Sequence, residues 1–168
     1  LVHWPGQDKE RMLDTWKAME HLYKEGKVKS IGVCNFEISQ LTYLLEHCEI
    51  KPMIDQVEHT PLMNDEKLIS FCKENDIQIM AWGPLLRGNL ENKKIEEIAE
   101  KYKKTTAQLL LRWNIEQGII PIPKSKNEQR LQQNIDVFDF EITKEDMEEL
   151  NHMNENHRTS FDPLTFDF

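Results

Sequence analysis

The chain has 168 residues, of which 30% are charged and 39% are hydrophobic, and its formal net charge is -9. This length suits one domain with a hydrophobic core and is too short for two ordinary domains. The negative charge argues against nucleic acid as the main partner, because a phosphate backbone would be repelled. The negative net charge does not exclude a small anionic ligand, because a local cationic pocket can still bind one.

No apolar run approaches the roughly 20 residues that a membrane span requires, and no signal-peptide pattern opens the sequence. Cys34, Cys48 and Cys72 are odd in number and lack CxxC spacing. This spacing favours reduced thiols over a disulfide framework or a zinc site. We therefore expect a cytoplasmic protein without a membrane partner.

The first predicted element is the end of a buried strand, LVHWPG, which delivers His3 to a loop. A helix is predicted over 8–25, because its apolar residues recur at helical spacing. Gly26 follows where a C-cap glycine belongs.

Strand and helix patterns then alternate along the chain. The strand patterns are VKSIGVC, PMIDQVE, IQIMAW and GIIPIP, and the helical patterns cover 38–48, 64–75, 92–117 (two helices) and a segment that starts near Asn127. Alternation implies right-handed βαβ units and a parallel sheet covered on both faces. The tail over 151–168 has no period, and its aromatic residues either pack on the body or belong to a substrate loop.

The parallel sheet leaves two architectures to consider. An open doubly wound sheet normally carries a glycine-rich phosphate turn, and neither GxGxxG nor GxxxxGK[ST] occurs here. The (β/α)8 TIM-type barrel needs about 250 residues, and this chain supplies five strand ends. We therefore predict an α/β partial barrel that forms one domain.

Functional residues of a barrel lie at the C-terminal ends of its strands. The residues at those positions are His3 and Trp4, Cys34 to Phe36, Gln56 with Glu58 and His59, Trp82 to Pro84, and Lys124 with Ser125. They combine a titratable ring, carboxamides, an indole and a cation. This set is unusually polar for residues that follow buried strands.

Most of these residues allow two interpretations. His3 is either a loop histidine or a donor to a substrate carbonyl. Trp82 is either a core residue or a ring that stacks on a flat cofactor. Asn35 and Gln56 either bond the backbone or recognise another carboxamide, which needs both a donor and an acceptor.

The segment IPKSKNEQRLQQN also allows two interpretations. Lys124 and Ser125 precede a helix start near Asn127, and Arg130 lies one turn inside. Cationic side chains and helix N-terminal amides together favour a phosphate site. A solvated helix start with scattered charges is the alternative.

Six segments resemble, in order, motifs of the aldo-keto reductase family. They are LVHWPG, TWKAMEHLYKEGKVKSIGVCNF, DQVEHTPL, AWGPLLRG, TTAQLLLRW and IPKSKNEQRLQQNIDVFDFEIT, which run from residue 1 to about 150. The resemblance implies a (β/α)8 barrel that uses NADPH without a Rossmann motif. It implies one domain over 1–168 that begins at about the fourth of eight strands, without the N-terminal part, and ends in a tail over 151–168.

The resemblance also implies roles for residues on the substrate and nicotinamide side. By this similarity His3 orients the substrate carbonyl and Trp4 lines the substrate site. Asn35 and Gln56, with Cys34 beside them, match the residues that bind the nicotinamide carboxamide. Cys34 stands where serine is common, and a thiol is the weaker donor.

Further positions match the rest of the cofactor. The resemblance implies that Trp82 stacks on the nicotinamide ring and that Gly83 and Leu85 belong to the loop over the pyrophosphate. The adenosine side is matched by two groups: Lys124, Ser125 and Arg130 at the 2′-phosphate, and Gln133 and Asn134 at the adenine. The 2′-phosphate group favours NADPH over NADH.

Two departures from the family bear on function. Asp55 stands where asparagine is usual, and Gln133 stands where glutamate is frequent. The family's catalytic aspartate, tyrosine and lysine precede the fourth strand, so no residue here is assigned to them. Loss of a proton donor costs about 10²–10⁴ in rate, and we expect this chain alone to be nearly inactive.

Three functions are compared. The first is an NADPH-dependent reductase of aldehydes or ketones, as a full-length monomer or weak dimer whose carbonyl compound is not specified by the sequence. The second is a non-catalytic half-barrel that self-associates through open strand edges and at most binds a nucleotide. The third, a metal-dependent hydrolase using His3, Asp55, Glu58 and His59, is disfavoured because no HxH pair occurs. In the tail, Arg158 and Phe161 are candidates for lining a substrate pocket or packing on the body.

Overall fold

The computed structural model describes residues 1–167, so the last residue of the 151–168 tail, Phe168, lies outside the described residues. The chain divides into two compact units. Unit 1 comprises Leu1–Val57, Glu66–Met80 and the segment from Arg158, and unit 2 comprises Glu58–Asp65 and Ala81–His157.

Unit 1 contains three helices and most of three strands. The helices are α1 (Lys9–Lys24), α2 (Ile38–His47) and α3 (Glu66–Glu74), and the strands are β1 (Val33–Cys34), β2 (Ile54–Glu58) and β3 (Gln78–Trp82). The pairing of β1 with β2 is parallel, with Val33 opposite Asp55 and Cys34 opposite Gln56. The other neighbour of β2 is β3. The predicted α/β organisation with parallel pairing is confirmed here, and the partial barrel stays a prediction.

Helix α1 forms where its sequence pattern predicts it. The Asp8 carboxylate accepts hydrogen bonds from the backbone N–H groups of the first turn, which caps the helix. Met12 and Trp16 are buried on one face. Gly26 has φ +70°, so it ends the helix in the left-handed conformation predicted for it.

Three predicted strands are much shorter than their sequence patterns. The VKSIGVC pattern gives only the two residues of β1. The opening segment makes only a parallel bridge between Val2 and Val33. The GIIPIP pattern gives only β4 (Ile120–Pro121). Its prolines have no N–H group to donate to a neighbouring strand, which limits the ladder on that side.

Unit 2 contains four helices, a short 3₁₀ helix (Leu86–Gly88) and β4. The helices are α4 (Lys93–Lys101), α5 (Thr106–Glu116), α6 (Glu128–Ile135) and α7 (Lys144–Asn151). The residues that form the unit 2 core are Leu86, Ile95, Ile98, Ala99, Leu109, Leu110, Trp113, Ile142 and Leu150. The end of β3 lies beside β4, since the Ile122 N–H donates to the Ala81 carbonyl at 3.0 Å.

The prediction that 92–117 holds two helices is confirmed. Asn92 caps α4 and Thr105 caps α5, each through a side-chain oxygen that accepts backbone N–H groups. Helix α7 was not predicted. Its signal is Thr143, which caps the helix ahead of an acidic first turn.

None of the helices within residues 1–167 combines the length and the apolarity that a membrane span requires.

Candidate functional site

The sequence-predicted residues of unit 1 meet around the end of β1. The Val2 carbonyl accepts from Cys34 N–H at 2.7 Å, which places the next residue, His3, beside that strand end. The His3 carbonyl accepts from Asn35 Nδ2 at 3.0 Å. His3 is exposed, so its ring is accessible to a ligand.

Asn35 forms a tight turn directly after β1. It has φ +59°, a left-handed conformation that asparagine tolerates better than most residues. Its N–H donates to the Gln56 carbonyl at 3.0 Å, which joins the turn to β2. The Gln56 side chain contacts the Met80 sulfur at 3.2 Å through Nε2. A thioether is a weak acceptor, so a carbonyl ligand would compete well for that donor.

Burial disfavours the charged forms of two groups behind this turn. It raises the pKa of the Cys34 thiol to about 11, with the nearby Asp55 adding to the rise. Burial also raises the pKa of the Asp55 carboxyl well above its usual range, although the Phe36 N–H opposes that rise. The Cys34 sulfur is therefore a neutral thiol and not a thiolate nucleophile at neutral pH.

The tail packs its aromatic residues around Trp4. The Trp4 ring lies 4.8 Å from the Phe166 ring and 6.2 Å from the Phe161 ring, measured between centroids. Arg158 Nη2 pairs with Glu37 at 2.9 Å. Phe161 nevertheless remains 61% exposed, so the cluster of Trp4, Phe161 and Phe166 presents an aromatic surface as well as packing the tail.

The predicted residues of unit 2 line one cavity of about 820 Å³. This volume is within the usual range for small-molecule sites. The predicted residues among its lining are Trp82, Gly83, Leu85, Lys124, Ser125, Arg130, Gln133 and Asn134. They come from the end of β3, the segment after β4 and helix α6.

The charge of this cavity is opposite to that of the whole chain. Arg87, Lys124 and Arg130 line it, and no carboxylate does so among the described residues. In a chain with 30 acidic and 21 basic residues, a cavity with three cations and no acid selects for anions. Neither Lys124 nor Arg130 has an acidic partner within residues 1–167.

The aromatic wall of the cavity is set by the turn after β3. Gly83 has φ +61° and accepts the Leu86 N–H at 3.1 Å, which turns the chain away from the strand. Leu86 and Arg87 also have positive φ, and such strain is typical of ligand-binding loops. The Arg87 guanidinium lies 5.8 Å from the centroid of the half-buried Trp82 ring.

The start of α6 forms the opposite wall. The Asn127 carboxamide accepts the Arg130 N–H at 3.0 Å, which caps the helix at the predicted position. Ser125 Oγ accepts the Asn127 N–H at 3.1 Å, so the serine is fixed between the cap and Lys124. The helix start thus brings its positive dipole end and two cationic side chains to one place.

His59 belongs to the core of unit 2. Its ring is stacked on Trp113 at 4.6 Å, and its nitrogens lie 2.8 Å from Asn114 Oδ1 and 3.2 Å from Asn64 Oδ1. Burial lowers the pKa of His59 despite these two hydrogen bonds. Within residues 1–167 no three His, Cys, Asp or Glu side chains are placed to hold a metal. This geometry gives the hydrolase hypothesis no support.

Among the residues of the unit 2 cavity that sequence reasoning missed, three carry polar side chains: Arg87, Thr105 and Thr106. Arg87 lies within the motif AWGPLLRG, yet its position inside a loop carried no strand-end signal. Thr105 and Thr106 line the cavity from the start of α5. Their signal was the capping box that Thr105 forms with Gln108, which predicts a helix start but not a cavity wall.

The fold is α/β, and the unit 2 cavity is lined by cationic and aromatic side chains. The sequence matches the model of the Aldo/keto reductase family over residues 1–155. The chain belongs to the aldo/keto reductase family.

Named relatives agree with this membership. A glyoxal reductase of Bacillus subtilis is 46% identical over 164 residues, which cover 97% of this chain and 59% of that protein. The methylglyoxal reductase DkgA of Escherichia coli is 38% identical over 169 residues, which cover 99% of this chain and 62% of that protein. The chain therefore spans about three-fifths of the length of these curated relatives.

A solved structure extends the similarity to the backbone. The crystal structure of a Gox0644 mutant in complex with NADPH superposes with a TM-score of 0.94 and is 38% identical. The match covers 99% of this chain and 62% of that one.

Proposed function

We propose that the protein containing this chain is an NADPH-dependent oxidoreductase that reduces aldehydes or ketones to alcohols. The cation-lined cavity of unit 2, in a member of the aldo/keto reductase family, is the observation that carries the proposal. The similarity to a glyoxal reductase and a methylglyoxal reductase supports small carbonyl substrates. The similarity to a structure in complex with NADPH supports the cofactor.

The unit 2 cavity has the donors that NADPH requires. Lys124 and Arg130 supply two charges for the 2′-phosphate, and charge-assisted hydrogen bonds to phosphate are the strong ones. Trp82 supplies a flat apolar surface for the nicotinamide ring. Gln133 and Asn134 supply carboxamides for the adenine. When bound, NADPH supplies a hydride to the carbonyl carbon.

Residues of unit 1 are proposed to contact the nicotinamide carboxamide and the substrate carbonyl. Asn35 and Gln56 present carboxamide groups that suit the nicotinamide carboxamide, with the neutral thiol of Cys34 beside them. The accessible His3 ring donates a hydrogen bond that orients the substrate carbonyl. Trp4 gives that carbonyl an aromatic wall.

We propose that this chain alone reduces carbonyl compounds slowly. A tyrosine proton donor is implied by the family resemblance, and the three tyrosines here have other positions. Tyr23 lies on α1 and Tyr43 on α2, while the Tyr102 hydroxyl donates to Asp146. None of them lines the unit 2 cavity in the described part of the chain.

Methylglyoxal reduction tests the reductase proposal. With saturating NADPH, we expect slow alcohol formation, at least about 100-fold below that of the Bacillus subtilis glyoxal reductase, as expected without a proton donor. His3→Ala should lower this rate about tenfold by removing a hydrogen bond to the carbonyl. The product is quantified by chromatography.

The matched control is His157→Ala, which removes another exposed histidine and should leave the rate unchanged. A wild-type rate close to that of the relative would contradict the slow-turnover claim. Equal rates for His3→Ala and the wild type would contradict the role of His3.

A second candidate function is self-association of a half-barrel that binds a nucleotide. The observation that favours it is three exposed apolar side chains: Leu131 and Ile135 on α6, and Phe138 in the segment after the helix. These side chains are 46%, 67% and 70% exposed, and large exposed apolar patches are typical of interaction sites.

A further inference from the structure

We propose that Asp55 is a positioning residue for the nicotinamide side of the site: its buried carboxyl holds the turn at Asn35 and Phe36, and a charge on that carboxyl loosens the turn and weakens NADPH binding. The inference rests on the proposed function. Asp55 and Gln56 are neighbours on β2, so their side chains lie on opposite faces of the strand. Gln56 is the one proposed to contact the nicotinamide carboxamide, and Asp55 acts from the other face.

The Asp55 side chain is enclosed and only half satisfied. The residue is 0% exposed and lies opposite Val33 in the parallel pair. Its Oδ1 accepts the Phe36 N–H at 3.5 Å. Its Oδ2 is buried without a hydrogen-bond partner among the described residues. A neutral acid tolerates such a site, whereas a carboxylate leaves a charged oxygen without a donor.

The charges that face Asp55 do not compensate an ionised form. The Glu37 carboxylate at the start of α2 opposes ionisation of Asp55. Glu37 is held by Arg158 at 2.9 Å, so this cation is already paired. Cys34 on β1 is a neutral thiol. Burial is the largest cause that raises the pKa of Asp55, followed by the opposing Phe36 N–H and then by Glu37.

Asp55 completes a set of three contacts that hold one turn. The Asn35 N–H donates to the Gln56 carbonyl and the Asn35 Nδ2 to the His3 carbonyl, both at 3.0 Å. The next amide, that of Phe36, is held by Asp55. Because Asn35 has φ +59°, its conformation persists only while such contacts hold it. The turn carries a residue proposed to bind the nicotinamide carboxamide.

Ionisation of Asp55 increases the number of hydrogen-bond donors that its carboxyl group requires. A buried carboxylate needs donors for both oxygens, and Oδ2 reaches water only if the turn opens. Asp55→Asn separates charge from shape, because its carbonyl still accepts the Phe36 N–H and it never ionises. The variant should therefore keep the turn closed at every pH.

The test is a titration of the 168-residue chain with NADPH from about pH 6 to about pH 9. The ratio of wild-type to Asp55→Asn dissociation constants should rise with pH, because only the wild-type side chain can become charged. Adenosine 2′,5′-bisphosphate lacks the nicotinamide, so its affinity ratio should stay constant. Asp76→Asn changes an exposed carboxylate and should follow the wild type. A constant NADPH ratio would overturn the proposal.

A second readout does not depend on cofactor binding. In the wild type, the backbone amide resonances of Asn35 and Phe36 should move with one titration step that Asp55→Asn lacks. The same movement in both proteins, or none in either, would overturn the role of Asp55. If neither NADPH nor adenosine 2′,5′-bisphosphate binds, the proposed function fails, and these amide resonances still decide the positioning claim.

Discussion

At the scale of single residues, Asp55 and His59 share one property. Each is a titratable side chain that is buried without an oppositely charged partner in the described part of the chain. Asp55 is 0% and His59 is 1% exposed, and neither has an ion-pair partner among the described residues. Burial disfavours the charged form of each, so it raises the pKa of the acid and lowers that of the histidine. The two groups therefore give opposite dependences of stability on pH.

His59 should make the fold sensitive to acid. Because the pKa of His59 is lowered from 6.5 in the folded chain, the unfolded chain binds the proton first as the pH falls below about 6.5. The free energy of unfolding should fall from there down to the folded-state pKa. His59→Phe keeps a ring against Trp113 but cannot be protonated, so its unfolding free energy should fall less over this range.

Urea unfolding between about pH 7.5 and about pH 5 measures this effect. At neutral pH, His59→Phe should be less stable by about 1–3 kcal/mol, because Asn64 and Asn114 lose a buried hydrogen-bond partner. His21→Gln replaces an exposed histidine and serves as the control. Identical pH slopes in His59→Phe and the wild type would refute the role of His59.

At the scale of elements, the sequence predicts helices better than strands or cavity walls. Four helices, α1, α4, α5 and α6, begin at positions that are predictable from sequence. Each start follows a residue that is a strong N-cap: Asp8, Asn92, Thr105 and Asn127. The strands at VKSIGVC and GIIPIP were overestimated, since apolar composition does not specify how many residues find a partner. The lack of a hydrogen-bond partner for Asp55 Oδ2 among the described residues was not predictable, because it depends on which side chains pack around β2.

Helix α6 predicts self-association of this chain. It contributes no buried residue in the described structure. Its side chains Leu131 and Ile135 are exposed to water, as is Phe138 in the segment that follows. We expect the average mass to rise with protein concentration, as seen by sedimentation velocity. Ile135→Lys should weaken the association by about tenfold, because burying an unpaired charge is costly.

The neighbouring variant Gln132→Lys adds the same charge to an exposed residue of α6 and should associate like the wild type. A wild-type chain that stays monomeric at every concentration would argue against the half-barrel hypothesis.

At the scale of the whole molecule, family membership and the cavity support each other. The family model matches residues 1–155, and this range includes every residue that lines the unit 2 cavity. The order of motifs and the strand-end rule sufficed to predict eight of the lining residues. The place of Arg87 and Thr105 in the cavity lining could not be predicted in this way. It depends on the path of the loop after β3 and on where α5 packs, and short motifs specify neither.

The central claim is that the unit 2 cavity binds NADPH through its 2′-phosphate. The measurement that tests it most directly is a titration of this chain with NADPH and with NADH, followed by quenching of tryptophan fluorescence. We predict that NADPH binds at least about tenfold more tightly, that Lys124→Ala removes this preference, and that Lys126→Ala, outside the cavity lining, retains it. Equal affinities for the two cofactors, or loss of the preference in both variants, would contradict the claim.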